Sequence, residues 1–324
     1  MRKTGRKTVF AALAAAVFLM HGGLPLCVQG EGREEEKVTI GISMASELVS
    51  YQKGLAGKMQ EIAEQSDSYE VEFYYADWDA DKQEEQLREM IDKQVDSIIL
   101  CPVDAKSFLN VLREAKDAGI PVVNLNMKLD PFSCEYITTY VGGSMSEEAV
   151  LAAELAVDYF GEEEGKIGII EGFPGSDPQI YRTQAFLEEM NSQPNIEIVG
   201  IVDGKWSRSR AELAALDLLR KEPEIDMIYC HDCNMAMGAY DTLEKEGKED
   251  EVKIIGIGDA AEYKDAVKEG KIYGIVSQSA DYEAAYALIC AEKAARGQEL
   301  RPWYKNPCEA LTAENIDKYR SPME

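Results

Sequence analysis

Basic charge is scarce in this chain: 34 Lys and Arg stand against 60 Asp and Glu, a formal net charge of −26. A phosphate backbone needs a basic footprint, so a nucleic-acid partner is excluded. Such an excess of acid reads as a solvated, self-repelling surface. Histidine is nearly missing as well. His21 lies in the leading apolar segment, which leaves His231 for the rest of the chain. A structural zinc needs four ligands, and no second Cys/His pair accompanies Cys230-His231-Asp232-Cys233. Ser-His-Asp or Cys-His chemistry would have to use His231, and no nucleophile elbow is recognisable. There is no glycine-rich phosphate loop. These gaps leave no expected catalytic residue, metal or cofactor.

Long apolar runs are also missing beyond the start of the chain. The start itself has the order of a secretory signal. "MRKTGRK" is cationic, "VFAALAAAVFLM" is a short apolar run, and "HGGLPLCVQG" turns polar. Residues 1–30 are therefore set apart from the fold. Two processing routes stay open: lipidation of Cys27, since "LPLC" resembles a lipoprotein signal, or a plain cut after Val28-Gln29-Gly30. Either way the expected location is extracytoplasmic, in the periplasm or on the outer face of the cell membrane. Six cysteines follow the signal: Cys101, Cys134, Cys230, Cys233, Cys290 and Cys308. Export permits disulfides, but the sequence assigns no pairs.

What fills the chain from Val38 onward is alternation. Short β-branched runs such as "VTIGISM", "VEFYYAD", "SIILCPV" and "PVVNLN" read as strands. Amphipathic stretches near 51–65, 81–93 and 107–118 read as helices between them. After "YITTYV" the pattern resumes, with helices near 144–160, 178–191, 207–220, 234–246, 260–269 and 281–297. Gly119-Ile120-Pro121 ends a helix and opens a strand. The class is α/β with parallel sheets covered on both faces. Roughly ten strands are too many for one simple sheet, so two lobes are expected, with the break near 136–146.

Ligands of open parallel sheets bind beyond the carboxyl ends of the strands. Here those ends carry Ala45-Ser46, Asp77-Trp78, Cys101-Pro102, Asn126-Met127, Phe173, Lys205-Trp206, His231-Asp232, Gly258-Asp259 and Gln278. Polar groups mixed with tryptophan make the wall of a small-molecule cleft.

Four segments in order then carry a resemblance: "DSIILCPVDAKSF", "AKDAGIPVVNLN", "CHDCNMAMGAY" and "IIGIGDAAEYKDAVKEGKIYGIVSQ". Over about 38–310 the chain resembles the periplasmic sugar-binding proteins of ABC transporters, the ribose-binding-protein-like group. The resemblance implies the type I periplasmic binding protein fold: two Rossmann-like lobes joined by a three-segment hinge. It implies an N-terminal lobe of 38–141 plus 279–307 and a C-terminal lobe of 142–278 plus 308–324. Its ligand-binding positions fall on Tyr51, Cys101, Asn126, Met127, Arg182, Trp206, Asp232, Asp259 and Gln278. Several depart from the family pattern. Asn126-Met127 replaces an Asp-Arg fork, Asp232 replaces an asparagine, and Gly258-Asp259 inverts an Asp-Gly.

A sugar offers hydroxyls at its rim and C–H faces above and below, so Trp206 and Tyr51 could sandwich it, with Trp78 as a helper. Losing the fork weighs against an ordinary aldopentose, and Asp232 leaves room for an amino group. The expected ligand is a sugar, polyol or amino sugar. The expected partner is an ABC transporter permease, and the expected state is a monomer. A receptor feeding a sensor kinase is the alternative within the binding class. A LacI-type repressor shares the fold but needs a basic helix-turn-helix where the signal stands. A redox or metal enzyme would use Cys230 and Cys233.

Overall fold

The computed structural model describes residues 36–323. Residues 1–30, where a signal is expected, and with them Cys27, lie outside the described residues. Two six-stranded sheets organise the chain. The first contains β1 (Val38–Met44), β2 (Tyr69–Tyr75), β3 (Ser97–Leu100), β4 (Val122–Leu125) and β5 (Thr139–Gly142). The second contains β6 (Gly165–Glu171), β7 (Ile196–Asp203), β8 (Met227–Cys230), β9 (Lys253–Ile257) and β10 (Gly274–Val276). Each is completed at one edge by a strand from the end of the chain, β11 (Trp303–Lys305) in the first and β12 (Ala310–Thr312) in the second.

The orders are β11-β5-β4-β3-β1-β2 and β12-β10-β9-β8-β6-β7, so the lobes repeat one topology. Pairing is parallel except where β12 runs against β10. Ile98, Ile99, Val122 and Val123 are buried without interruption, as strands covered on both faces must be. The helices that cover the first lobe are α1 (Ser50–Glu64), α2 (Ala80–Asp92) and α3 (Leu109–Asp117). Those of the second are α4 (Met145–Phe160), α5 (Asp177–Met190), α6 (Arg208–Lys221), α7 (Cys233–Glu246) and α8 (Ala261–Lys268). The last helix, α9 (Ala280–Ala295), follows β10 but buries Ala284, Ala287, Leu288 and Ala291 in the core of the first lobe.

The chain therefore passes between lobes after Gly142, between Val276 and Ala280, and between Lys305 and Ala310. Two features were not foreseen. The helix expected from 107 begins at Leu109, because the Asp104 carboxylate accepts from the N–H groups of Lys106 (2.7 Å) and Ser107 (2.8 Å) and holds a turn there. Strands β11 and β12 have three residues each, too few to show a period. Among the described residues, no helix is long and apolar enough to cross a membrane.

Candidate functional site

The carboxyl ends of the two sheets face each other across an inner cavity. Val49, Tyr51, Gln52, Asn126 and Met127 line it from the first lobe. Met145, Pro178, Arg182, Trp206 and Asp232 line it from the second, and Gln278 from the second crossing. Its free volume is about 30 Å³. That holds about two waters and is too small for a sugar ring. Of the wider openings that adjoin it, two share more than one residue with it. One, of about 500 Å³, shares Tyr51, Asp232 and Gln278 with the cavity and extends to Asp259 and Tyr263. The other, of about 600 Å³, shares Val49 and Trp206 and extends to Trp78, Phe173 and Lys205.

Arg182 is the buried cation of the site, and its charge is already answered. Glu148, in the first turn of α4, accepts from its Nε at 3.1 Å and its Nη2 at 2.6 Å. The carbonyl of His231 accepts from Nη1 at 2.5 Å, and Gln278 Oε1 from Nη2 at 3.2 Å. Of the five guanidinium N–H groups, one on Nη1 is left over. Burial pushes the Glu148 carboxyl up, with the Arg182 charge opposing. The Gln278 bond turns its amide nitrogen away from Arg182, leaving two donors at the second crossing.

Asn126 has a left-handed backbone (φ 59°), which asparagine tolerates. Its carbonyl accepts from the Tyr140 hydroxyl at 2.6 Å, which fixes the loop after β4. Its side-chain nitrogen donates to Glu283 Oε2 at 2.9 Å. Glu283 Oε1 accepts from Asn306 Nδ2 at 3.1 Å. Burial raises the Glu283 carboxyl to about 7, against the Asn306 bond. The Tyr51 hydroxyl is buried nearby without a hydrogen-bond partner of proper geometry. Its phenol is pushed well up, first by burial and then by the Glu283 charge. Asp232 Oδ1 caps α7 by accepting from Met235 N–H at 2.6 Å. Burial brings its carboxyl to about 6.

The lobes place their tryptophans by the same device. Asp77-Trp78 after β2 and Lys205-Trp206 after β7 have φ of 55°, 65°, 51° and 60°. Each pair is followed by a helix cap, Asp79 accepting from Lys82 N–H and Ser207 from Arg210 N–H. Left-handed backbone costs a non-glycine residue about 1–2 kcal/mol, so both turns are held by their surroundings. Trp206 is buried against Gly172, where any Cβ would overlap the indole. Trp78 reaches the wide opening instead, where it stacks on Phe173.

The remaining expected residues fall outside the inner cavity. Cys101 is fully buried behind the wall, and burial pushes its thiol up to about 12. Asp259 accepts from the Tyr319 hydroxyl at 2.8 Å and lines the 500 Å³ opening. Cys230 and Cys233 are fully buried, and burial pushes both thiols well up, away from the thiolate. His231 is also fully buried; its Nδ1 accepts from Gly172 N–H at 3.3 Å and its Nε2 lies 3.3 Å from the Thr183 hydroxyl. Burial and then Arg182 push the imidazole well down, so it stays neutral. Sequence reasoning missed Glu148, Glu283, Asn306, Gln52 and Met145. Arg182 pairs with Glu148, while Glu171 holds the Thr183 hydroxyl.

Doubly repeated lobes, three crossings and a cavity built from both lobes define a two-lobed solute-binding protein. The chain belongs to the periplasmic binding protein domain family, whose match spans residues 40–299. It is similar to the D-ribose/D-allose-binding protein of Pseudomonas aeruginosa, 28% identical over 236 residues, 70% of this chain and 73% of that one. It is also similar to the xylitol-binding protein of Mycolicibacterium smegmatis, 26% identical over 317 residues, 94% of this chain and 85% of that one. Among solved structures it is similar to an ABC transporter solute-binding protein from Bacillus halodurans with bound myo-inositol. There the TM-score is 0.82 and the identity 30%, over 89% of this chain and 98% of that one.

Proposed function

We propose that this chain captures a neutral polyhydroxylated ligand, a sugar or a polyol, between its lobes outside the cytoplasm. It then delivers that ligand to the permease of an ABC transporter. The observation that carries the reading is the polar balance of the inner cavity. Arg182 spends its charge on Glu148, so the cavity offers no free cation to an acidic ligand. What remains is a set of single hydrogen-bonding groups at Gln278, Asn126, Asp232 and Arg182, beside the apolar surfaces of Trp206, Met127 and Met145. That pattern matches hydroxyls at a rim and C–H groups on a face. The relatives named for ribose, allose and xylitol support the same class.

A cavity of about 30 Å³ cannot admit such a ligand as it stands. The three crossings act as the hinge that opens the lobes and lets them close again. The chain is not an enzyme in this reading: His231 is neutral and engaged by its neighbours, and the thiols of Cys230 and Cys233 are buried and protonated. Calorimetric titration with D-ribose, D-allose, myo-inositol, xylitol and an amino sugar tests the ligand class. Saturable binding of a neutral member is expected. Binding of the amino sugar alone, or of none, would overturn the reading. Uptake of the bound sugar by the reconstituted permease tests delivery.

A further inference from the structure

Glu283 sits on α9, just past the second crossing, and is fully buried. Its two oxygens accept from different asparagines, Asn126 at 2.9 Å and Asn306 at 3.1 Å. Asn126 lines the inner cavity. Asn306 lies in the third crossing and gives a further N–H to the carbonyl of Ser279, in the second, at 3.0 Å. One carboxylate thus joins a cavity-lining side chain to two of the segments that connect the lobes.

The chemistry of that carboxylate decides how the asparagines are turned. An ionised carboxylate only accepts, so each amide must point its N–H₂ at Glu283 and its carbonyl oxygen away. For Asn306 the result is an Oδ1 buried with no partner. For Asn126 the oxygen is left for the cavity. Gln278 is turned the opposite way: its Oε1 is taken by Arg182 at 3.2 Å, and its N–H₂ is left for the cavity.

We infer that Glu283 is a positioning residue that fixes the hydrogen-bonding polarity of the ligand site, an acceptor at Asn126 facing a donor at Gln278. A ligand hydroxyl can donate to Asn126 Oδ1. A ring oxygen or an ether placed there would set lone pair against lone pair. The site therefore selects a free hydroxyl at that end and an acceptor oxygen at the other. The selection is tied to the hinge, because the carboxylate that holds Asn126 also holds Asn306 of the third crossing. This inference rests on the sugar or polyol reading for the ligand, but not for the arrangement of the amides.

The groups that face Glu283 are Tyr51 of α1, Cys101 after β3, Asn126 after β4, Tyr140 of β5, Glu148 of α4 and Asn306 after β11. Glu148 is the other carboxylate among them, and it is bound to Arg182. Side-chain amide NMR therefore reads Glu283 directly. The Asn126 and Asn306 resonances, assigned with Asn126→Ala and Asn306→Ala, are followed from about pH 5 to about pH 9 in the wild type and in Glu283→Gln. Both are expected to shift together through one midpoint in the wild type and to lose that response in the variant. A glutamine cannot accept from both asparagines on equal terms. Binding of D-allose or myo-inositol is accordingly expected to weaken about tenfold or more. Asn126 resonances that neither titrate nor change in Glu283→Gln would overturn the inference. If neither sugar binds the wild type while the amides titrate together, the sugar reading falls and the positioning role stands. If Glu283→Gln does not fold, the wild-type titration alone decides.

Discussion

Trp78 of the first lobe and Phe173 of the second lie face to face, their ring centroids 4.7 Å apart and their planes 6° apart. The stack spans the wide opening beside Trp206, so it exists only while the lobes are together. Lys205 adds a cation 5.9 Å from the Phe173 ring. An aromatic pair contributes about 0.5–1.5 kcal/mol beyond burial, so Trp78→Ala and Phe173→Ala should each weaken ligand binding by a few-fold to about tenfold. The loss should appear as faster dissociation, with thermal unfolding little changed. Stopped-flow release of bound sugar measures it. Unchanged dissociation would show that the stack does not hold the closed form.

The Arg182–Glu148 pair joins α4 to α5 within the second lobe, with side chains 3% and 1% exposed. Removing one partner of a buried pair leaves an uncompensated charge and costs about 3–5 kcal/mol. Glu148→Met should therefore lower the unfolding midpoint far more than Arg182→Met with Glu148→Met together. The double variant should regain stability without regaining affinity, because Gln278 loses the guanidinium that turns its amide. Calorimetry of unfolding and of binding, run on the wild type and both variants, separates the two effects.

Gly172 makes room for the Trp206 indole. A methyl group there would overlap the indole, so Gly172→Ala should displace the ring from the cavity. Ligand affinity should fall by more than tenfold while far-ultraviolet dichroism is unchanged. The emission of Trp206, isolated with Trp78→Phe and Trp303→Phe, should move toward that of a wetter indole. An unshifted spectrum would place the ring's support elsewhere.

Burial raises the carboxyls of Glu283 to about 7 and Asp232 to about 6. A carboxyl that holds its proton more tightly when folded stabilises most below its unfolded pKa of about 4. That contribution is lost as pH rises through the folded values of about 6 and about 7. Relief of the −26 net charge acts in the same direction. The unfolding midpoint should therefore fall between mildly acidic and mildly alkaline buffer, and Glu283→Gln should flatten the slope. A midpoint that climbs over this interval would contradict the burial of these groups.

The architecture was legible because buried strands such as Ser97–Leu100 and Val122–Leu125 are unbroken apolar runs or nearly so, set between amphipathic helices. Strand ends point to residues that line the inner cavity, Asn126, Trp206, Asp232 and Gln278 among them. Glu148 and Glu283 carry no such pointer. Each is one of 60 acidic residues, and each lies on a helix where an acid normally faces water. Their burial comes from packing at the junction of the lobes, between segments far apart in sequence. Cys101 shows the reverse error: it does end a strand, but its side chain points into the lobe. The CHDC run drew attention by spacing, yet its role in the fold is to cap a helix with Asp232 and to give Arg182 the His231 carbonyl.

A crystal structure grown with whichever of D-ribose, D-allose, myo-inositol or xylitol binds tightest puts the central claim to its most direct test. The ligand should lie in the inner cavity with a C–H face on Trp206, one hydroxyl donating to Asn126 Oδ1 and one oxygen accepting from Gln278 Nε2. A ligand bound only in the outer openings, or one that meets a ring oxygen at Asn126, would contradict the account.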